Sequence, residues 1–515
     1  MSASTCEQIL PDPPASELYH ILSKQQKWAL VIFVSLAGCF SPLSSNIYFP
    51  ALDTISHNLG ISASLVSLTI TVYMIVQGIA PSLFGAVSDS CGRRLPFTIS
   101  LAIYTAANFA LAFTSNYAML MVFRALQAAG SAATISISAG VIADVALPEE
   151  RGGFIGINAG VRMMGQAVGP VIGGLLNSVW GFRSIFWFLF TLSVIVLSAL
   201  VIFLPETQRS IAGNGSVPLT GTQKPLIYIL KPPRAWSETR DTRPAKPHKP
   251  INIQNTFSPL AYILEKDIAV LLAWGSIAYT AWSMVTSSIT TMLVRGFPFL
   301  TQWQIGLCFL PNGLGCIAGS LSTGWLLNHS FQRAAARYKT AHAISNNNNN
   351  NNNNTTNNDT LINNAPSNAD FPYIKSRLHL MPLFAITLAI SLALYGPSFE
   401  FNDIHRHSTA NLAAPLILQF IIAFTATAIF SINSTVLIDC FPDLPASATA
   451  LNNLCRCLLG AAGVSVIQPL IAAVKPMVAF LVVTGVVVLC LPLVWVEWMW
   501  GEQWRKERQV RLGGL

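Results

Sequence analysis

The sequence predicts an all-α integral membrane protein whose twelve transmembrane helices form two six-helix halves. Of the 515 residues, 52% are hydrophobic, only 10% are charged, and the mean hydropathy is +0.52. Soluble domains carry about 25% charged residues, and a helix that crosses a bilayer needs about 20 apolar residues. The chain has room for a dozen such helices and the loops that join them.

Twelve apolar stretches follow one another, and a long polar stretch after the sixth separates the two halves. We expect an N-terminal tail at 1–27, a first half at 28–204, a linker at 205–267, a second half at 268–499 and a C-terminal tail at 500–515. The twelve helices are predicted at residues 28–50, 65–87, 95–114, 117–142, 153–176, 182–204, 268–292, 305–327, 378–397, 411–437, 446–471 and 476–499.

Two long loops differ in composition from the apolar stretches. Residues 205–267 are Pro-rich and basic, which is typical of a linker with little fold of its own. Residues 334–374 include nine consecutive asparagines, Asn346 to Asn354. This low complexity predicts disorder, and a tolerated insertion is favoured over a prion-like interaction segment.

The distribution of Lys and Arg predicts the orientation. Basic residues concentrate in the tails, in the linker and in alternate loops, whereas the other loops hold only Arg183, Arg295, Arg406 and Lys475. Cytoplasmic loops of membrane proteins carry the excess of Lys and Arg, so both termini are predicted to be cytoplasmic. The same rule explains the net charge of +8 without a nucleic-acid partner.

Three arginines lie deep inside apolar stretches: Arg124, Arg162 and Arg456. We expect no Asp, Glu or Lys at comparable depth. A cation at the centre of a bilayer is costly unless it faces a cavity, a partner or a substrate. Buried positive charges without buried negative ones indicate a transporter of an anion.

An internal repeat supports two related halves. Gly85-x-x-x-Asp89 is followed by Arg94 nine residues after the glycine, and Gly324-x-x-x-Asn328 is followed by Arg333 at the same spacing. Repeated halves are typical of transporters whose site lies between them. Asp89, with Arg93 and Arg94, is expected to bridge helices at the cytoplasmic face and to latch one state of the transport cycle. Because Asn328 replaces an acid, the second latch should be weaker.

These motifs resemble the major facilitator superfamily. The loop from Gly85 to Arg94 looks like its signature loop, the stretch Leu120–Gly130 around Arg124 resembles its fourth-helix motif, and Leu204-Pro205-Glu206-Thr207 closes the sixth helix as in this group. The resemblance covers nearly all of residues 28–500. It implies the twelve-helix fold of that superfamily and transport by alternating access.

The predicted fifth helix carries a glycine-rich face. Gly165-x-x-x-Gly169-Pro170-x-x-Gly173-Gly174 is similar to the antiporter motif of the superfamily. Glycines at four-residue spacing allow helices to approach closely, and Pro170 permits a bend. We therefore expect Gly165, Gly169, Gly173 and Pro170 to serve gating, with packing without gating as the alternative.

Arg162, Gln166 and Pro170 follow one another at steps of four, so they share one stripe of the helix. A guanidinium and an amide one turn apart suit a carboxylate. The pattern resembles the fungal citrate exporters, a subgroup of the fungal drug:proton antiporter family. The stretches 44–50 and 452–457 match the same subgroup, but they also match the quinidine-resistance and dityrosine exporters.

The candidate substrate-binding residues carry alternatives. Arg124 could instead bond backbone carbonyls, Arg162 could make a structural bond between helices, and Arg456 could pair with Asp439. Ser45 could serve helix packing rather than hydrogen bonding to the substrate. The predicted substrate-binding set is Arg162, Gln166, Arg124, Arg456, Ser45 and Tyr48.

The resemblance implies a plasma-membrane exporter of citrate or related di- or tricarboxylates. We expect a monomer in membrane lipid with a small organic anion as substrate, and no enzyme activity, cofactor, metal or nucleic acid. The alternatives are a multidrug:proton antiporter that exports drugs or weak organic acids, and a non-transporting sensor. A cation exporter would be expected to carry a buried acid in the first half, and none is predicted. Protons are the habitual coupling ion of the family, but substrate protonation and uniport stay open.

Overall fold

The computed structural model describes residues 20–146, 148–215, 217, 219, 223–230, 262–350, 373–400, 409–440 and 445–511. These ranges consist of helices and turns and contain no β-strand. Ten stretches of the described chain are long and apolar enough to cross a membrane.

Six spans form the first half, and each connection between them is short. α1 is bent into several pieces, whereas the others run as continuous helices. The bounds are α1 Lys24–Leu59, α2 Ala63–Cys91, α3 Arg94–Ala112, α4 Tyr117–Val145, α5 Pro148–Trp180 and α6 Arg183–Phe203.

The second half repeats this arrangement. Pro445–Arg511 is one helical run that Lys475, with φ 67°, divides into two antiparallel spans, α11 at 445–474 and α12 at 476–511. With this division and α5, the predicted twelve-helix fold is confirmed. The other bounds are α7 Lys266–Gly296, α8 in two pieces Gln302–Leu307 and Leu310–Asn350, α9 Met381–Glu400 and α10 Ala413–Cys440, with short helices at Arg209–Ala212, Ile227–Leu230 and Tyr373–Leu378.

The first span extends beyond its predicted end at residue 50. Pro50 is the second residue of a 3₁₀ turn, Phe49–Ala51, which bends the span without ending it. Helix then continues over Leu52–Leu59 and ends at Gly60 in the left-handed conformation, φ 61°. A proline at the start of a helical turn is tolerated because its missing N–H has no partner there.

Two further helices extend into ranges that were expected to be tails or loops. α8 continues to Asn350, whereas disorder was expected from 334; residues 351–372 lie outside the described residues. α12 continues to Arg511, whereas the C-terminal tail was expected to start at 500. Good helix formers explain the first extension, since the stretch after Arg333 is rich in alanine. Buried ion pairs, described below, hold the second.

Part of the expected linker packs against the first half. Thr207, Ile211 and Ala212 are buried, and the backbone N–H of Ile21 donates to the carbonyl of Asn214 over 3.0 Å. Burial, with the nearby cations Lys27 and Arg209, lowers the pKa of His20 to about 4. His20 is therefore neutral at physiological pH in this packed segment.

The apolar core falls into three clusters. One lies inside the second half and includes Trp274 and Phe480; another lies inside the first half and includes Phe97 and Val141. The third combines the two halves, because Ile47 and Ile70 share it with Phe309 and other residues of the second half. The halves therefore share a core at one end of the molecule only, as far as the described residues show.

Candidate functional site

The two halves meet away from the side on which the chain enters α1. We call that entry side, which carries Lys24, Arg93 and Arg508, the basic side, and its counterpart the opposite side. The hydrogen bonds between halves within the described residues begin at mid-span and run toward the opposite side. They join Asn453 to the Gln77 carbonyl, Gln166 to Cys316, Thr71 to the Ala461 carbonyl and Thr290 to the Phe49 carbonyl.

At the opposite side the backbones of the two halves approach closely at glycine residues. A Cβ at Gly174 would lie 2.8 Å from the Cα of Gly306, and one at Gly313 would overlap Ala167. The rings of Phe49 and Phe309 stack beside these contacts, with centroids 6.1 Å apart. The molecule is closed at the opposite side, where the hydrogen bonds that join described residues of the two halves are found.

The glycine face of α5 packs against α1. A Cβ at Gly165 would overlap the Cys39 thiol, and one at Gly173 would overlap the Ile47 carbonyl. At Gly169 the nearest atom, the backbone nitrogen of Ile47, would be 3.2 Å away. The expected close approach of helices is therefore present. Its role in gating stays a prediction.

Pro170 lies at the contact between α5 and the second half. A Cβ at Gly306 would lie 2.8 Å from the carbonyl oxygen of Pro170. Pro170 thus takes part in the contact that closes the opposite side, and the bend expected at this proline stays a prediction.

Arg162 lies in the middle of α5 beside the kink of α1. Its Cδ would be 3.9 Å from a Cβ at Gly38, and its Nε is buried without a hydrogen-bond partner among the described residues. The ionisable groups near it are Arg456 of the other half, whose charge repels its own, and the Cys39 thiol. Arg162 is therefore a cation whose described surroundings offer no counter-ion.

Arg456 enters the same region from α11. Its Nη2 and Nε donate to the Asn453 amide oxygen at 2.7 and 3.1 Å, and its guanidinium lies over the rings of Tyr279 and Phe430 at 4.8 and 4.6 Å. The alternative pairing with Asp439 is wrong, because Asp439 accepts from Arg377 at 3.0 Å.

Gln166 makes no hydrogen bond to Arg162 among the described contacts. Its amide nitrogen donates to the Cys316 sulfur at 3.2 Å, across the boundary between the halves. The predicted stripe of Arg162 and Gln166 thus faces the second half, but the two side chains have separate partners.

Arg124 forms a separate cluster that is completely buried in the first half. Its Nη1 donates to the Gln127 amide oxygen at 2.7 Å and to the Ser44 carbonyl at 3.4 Å. The guanidinium also lies over the rings of Tyr48 and Tyr73, at 4.1 and 4.4 Å. Its Nε and Nη2 have no hydrogen-bond partner in the described chain, so this buried cation keeps unused donors.

Tyr48 and Ser45 do not join Arg162. The hydroxyl of Tyr48 lies 3.0 Å from that of Thr69, and the side chain has no exposed surface. The Ser45 hydroxyl donates to the Pro42 carbonyl at 3.1 Å. In this conformation Tyr48 holds Arg124 and Ser45 bonds its own helix, and their predicted contact with substrate stays a prediction.

Tyr73, Ser131 and Asn108 of the Arg124 cluster were missed in the sequence, whereas Gln127 lies in the motif that drew attention to Arg124. Tyr73 bonds the Ser131 hydroxyl at 3.0 Å, and Gln127 donates to the Asn108 amide oxygen at 2.7 Å. The available signal was a polar side chain inside an apolar helix, but sequence spacing does not reveal which helices bring these side chains together.

The predicted latch residues bridge helices of the first half. Arg93 binds Asp89 of α2 and donates to Asp144 of α4 at 2.9 Å. Arg94 instead donates to the carbonyls of Leu204 and Val201 at the end of α6, at 2.8 and 2.7 Å. In the second copy, Arg333 is exposed and the side chain of Asn328 lies outside the described residues. Whether the network latches one state stays a prediction.

Three acids are buried among the described residues, Glu206, Asp267 and Glu497, and they lie near the basic side rather than at the depth of the three arginines. Glu497 of α12 is 2% exposed, and its charged neighbours are Asp267 and Glu502 near the basic side. It was missed because it lies close to the predicted end of its helix. Among the described residues no group of three His, Cys, Asp or Glu side chains could hold a metal ion.

Comparisons with known proteins agree with this architecture. The model of the Major Facilitator Superfamily matches residues 34–341. A citrate exporter of Aspergillus niger is 45% identical over 494 residues, which cover 96% of this chain and 90% of that protein. A multidrug transporter of Candida glabrata is 32% identical over 456 residues, 88% of this chain and 77% of that protein.

A solved D-xylose–proton symporter has the same fold, with a TM-score of 0.62 at 14% identity over 91% of this chain and 97% of that chain. The helical halves, the match to the family model and the similarity along almost the whole chain agree with one another. This chain is a multi-pass membrane transporter and belongs to the Major Facilitator Superfamily.

Proposed function

We propose that this transporter exports citrate or a related di- or tricarboxylate across the plasma membrane by alternating access. One observation carries the proposal: Arg162 of the first half and Arg456 of the second half lie close enough to repel each other between the halves, and no acid of the described residues acts on Arg162. Two like charges away from bulk water are unfavourable unless an anion lies between them. A substrate with several carboxylates supplies such an anion.

The two arginines offer different contacts to that substrate. Arg162 has an unused Nε donor, so it would bind one carboxylate directly. Arg456 is already oriented by Asn453, whose own amide donates to the Gln77 carbonyl of the first half at 3.0 Å. A second carboxylate on Arg456 would therefore tie the substrate to the contact between the halves. Arg124 would act behind this site through its unused donors.

Similarity to the Aspergillus niger citrate exporter supports this substrate class, since the identity extends over almost the whole chain. Similarity to the Candida glabrata multidrug transporter favours the rival, export of drugs or weak organic acids. Aromatic rings near Arg456 would suit an apolar drug, but they already stack on its guanidinium. We rank the carboxylate first because Arg162 has no such ring partner among the described contacts.

The orientation and the energetics fit an exporter. With the basic side in the cytoplasm, this conformation would be closed to the outside and would take substrate from the cell. Each negative charge that leaves a cell negative inside gains about 2.3 kcal/mol per 100 mV, so export needs no coupling to protons. We further propose that the transporter works as a monomer surrounded by lipid.

The test is the initial rate of radiolabelled citrate uptake into inside-out plasma-membrane vesicles from an overexpressing fungal strain. We expect Arg162→Ala to lower the rate about 10- to 100-fold, because a hydrogen bond to a charged group contributes about 1.5–3 kcal/mol. Arg162→Lys keeps the charge but loses the planar fork, so a smaller loss is expected. Arg295→Ala, at an exposed arginine on the opposite side, is the matched control and should leave the rate unchanged.

Two outcomes would overturn the proposal. One is citrate uptake no faster than in vesicles without the protein, together with resistance of the strain to cationic drugs, which would favour the multidrug transporter. The other is unchanged citrate uptake by Arg162→Ala at equal expression, which would leave this arginine as a structural residue.

A further inference from the structure

The end of α12 buries a carboxylate that transport of an anion does not explain. Glu497 is 2% exposed, and neither of its carboxylate oxygens has a hydrogen-bond partner among the described residues. One oxygen lies 2.6 Å from the position of a Cβ on Gly501, so the side chain folds along its own helix. An ionised carboxylate in such a place costs several kcal/mol without a partner.

The cations around Glu497 are engaged by other acids. Arg508 binds Asp267 at the start of α7 at 2.9 Å, with both side chains at most 3% exposed. Arg505 donates to Glu502 at 2.9 Å, and Glu502 also accepts from the Ile374 backbone.

The third cation in this group, Arg377, binds Asp439 of α10 at 3.0 Å. Each of the three arginines thus has an acid of its own. Glu497 is the fourth acid of the group, and no cation of the described residues pairs with it.

The groups that face Glu497 from neighbouring helices oppose its charge. Asp267 of α7 and Glu502 of α12 act on it as negative charges. From α10 comes Cys440, a buried thiol near Glu497, Asp267, Arg505 and Arg508. Before α9, His379 lies beside Trp498 with ring centroids 6.2 Å apart and planes tilted by 39°, and it is exposed to solvent. None of these described groups supplies Glu497 with an unshared positive charge.

We propose that Glu497 is a proton-binding site that keeps the end of α12, residues 500–511, docked against the start of α7. With its proton bound, Glu497 is neutral and the pair Arg508–Asp267 remains closed. When the O–H bond dissociates and the proton leaves to water, three acids face each other around two arginines. Their repulsion then loosens the docked segment at high pH on the basic side.

Hydrogen–deuterium exchange of the purified transporter tests the docking directly. Uptake by the peptide that covers residues 500–511 is measured from pH 6 to pH 9 and corrected with an unfolded peptide of the same sequence. Glu497→Gln mimics the protonated acid. We expect exchange of the wild type to match that of Glu497→Gln at pH 6 and to exceed it several-fold at pH 9.

Two control variants separate this switch from general weakening. Glu507→Gln removes an exposed acid of the same segment and should follow the wild type at every pH. Glu502→Gln breaks an ion pair and should raise exchange at every pH. The proposal is overturned if the wild type and Glu497→Gln keep the same ratio throughout, or if Glu497→Gln exchanges faster at pH 6. Since no substrate is present, the result does not depend on the proposed citrate export.

Discussion

A single carboxylate organises the start of α3. Glu206, 3% exposed, accepts hydrogen bonds from the backbone N–H groups of Arg93 and Arg94 at 2.8 and 3.1 Å, and from those of Thr207 and Gln208 at 3.0 and 2.9 Å. The first N–H groups of a helix have no partner within the helix. The N-terminus is also the positive end of the helix dipole, so an anion there is favourable. Glu206 thus joins the end of α6 to the start of α3.

We expect Glu206→Ala to destabilise the transporter by about 3 kcal/mol, because buried donors would be left without an acceptor. Glu206→Gln keeps one oxygen and should destabilise it less. The measurement is the melting temperature in detergent, compared with Glu507→Ala at an exposed site. Equal melting temperatures for Glu206→Ala and this control would show that these hydrogen bonds to Glu206 do not stabilise the protein.

At the residue scale, the sequence identified the arginines but not their partners. Arg124, Arg162 and Arg456 stand out because charge inside an apolar stretch is visible locally. The rings of Tyr48 and Tyr73 around Arg124 come from other helices, and residue spacing along the chain does not reveal which helix faces meet. The suggested pair of Arg456 and Asp439 fails for the same reason, since Arg377 is closer in space.

At the element scale, the glycine face of α5 was predicted from spacing alone, and its neighbour is now known to be α1. The closest approach is at Gly173, where a Cβ would overlap the Ile47 carbonyl. Backbone cannot give way as a flexible side chain does. Gly160 on the same helix has no atom within 4 Å of its Cβ position.

We therefore expect opposite effects of the same substitution at these two positions. Gly173→Ala should separate α1 from α5, lower the melting temperature and reduce transport strongly. Gly160→Ala should be neutral or stabilise by up to about 1 kcal/mol, because alanine favours a helix over glycine. Melting curves and citrate uptake check both variants at equal expression. Equal behaviour of the two would show that the close approach does not matter.

The ends of elements were less predictable than their existence. Apolar length located the spans, but α1 passes Pro50 as a 3₁₀ turn, which the sequence alone does not distinguish from a helix end. The end of α12 is helical because Arg508 reaches Asp267, a residue 241 positions earlier in the chain. Such distant contacts extend a helix into a stretch whose composition indicates a tail.

At the scale of the molecule, the repeat predicted two halves but not their relative position. Both states of a transporter share one sequence, so only the structure reveals which end is closed. Here the hydrogen bonds of Thr290 and Thr71 and the glycine contacts of α5 with α8 lie toward the opposite side. Alternating access requires this side to open again.

The contact at Gly306 offers a way to test that motion. A leucine there would meet the Pro170 carbonyl and the Gly174 backbone, so Gly306→Leu should prevent closure of the opposite side and abolish transport. Cys316, bonded to Gln166 beneath the contact, is a natural reporter once the other eight of the nine cysteines are replaced. We expect a membrane-impermeant maleimide, added at the opposite side, to label it much faster in the variant.

The matched control is Gly485→Leu, since Gly485 has no atom within 4 Å of its Cβ position. It should transport normally and keep Cys316 protected. Slow labelling of Gly306→Leu, equal to that of the control, would mean that the opposite side closes without this contact. Fast labelling with transport retained would show that the transport cycle does not require closure at this contact. Fast labelling of Gly306→Leu together with loss of transport is the expected result, because the closed state depends on the contact between the backbones of Gly306 and Gly174.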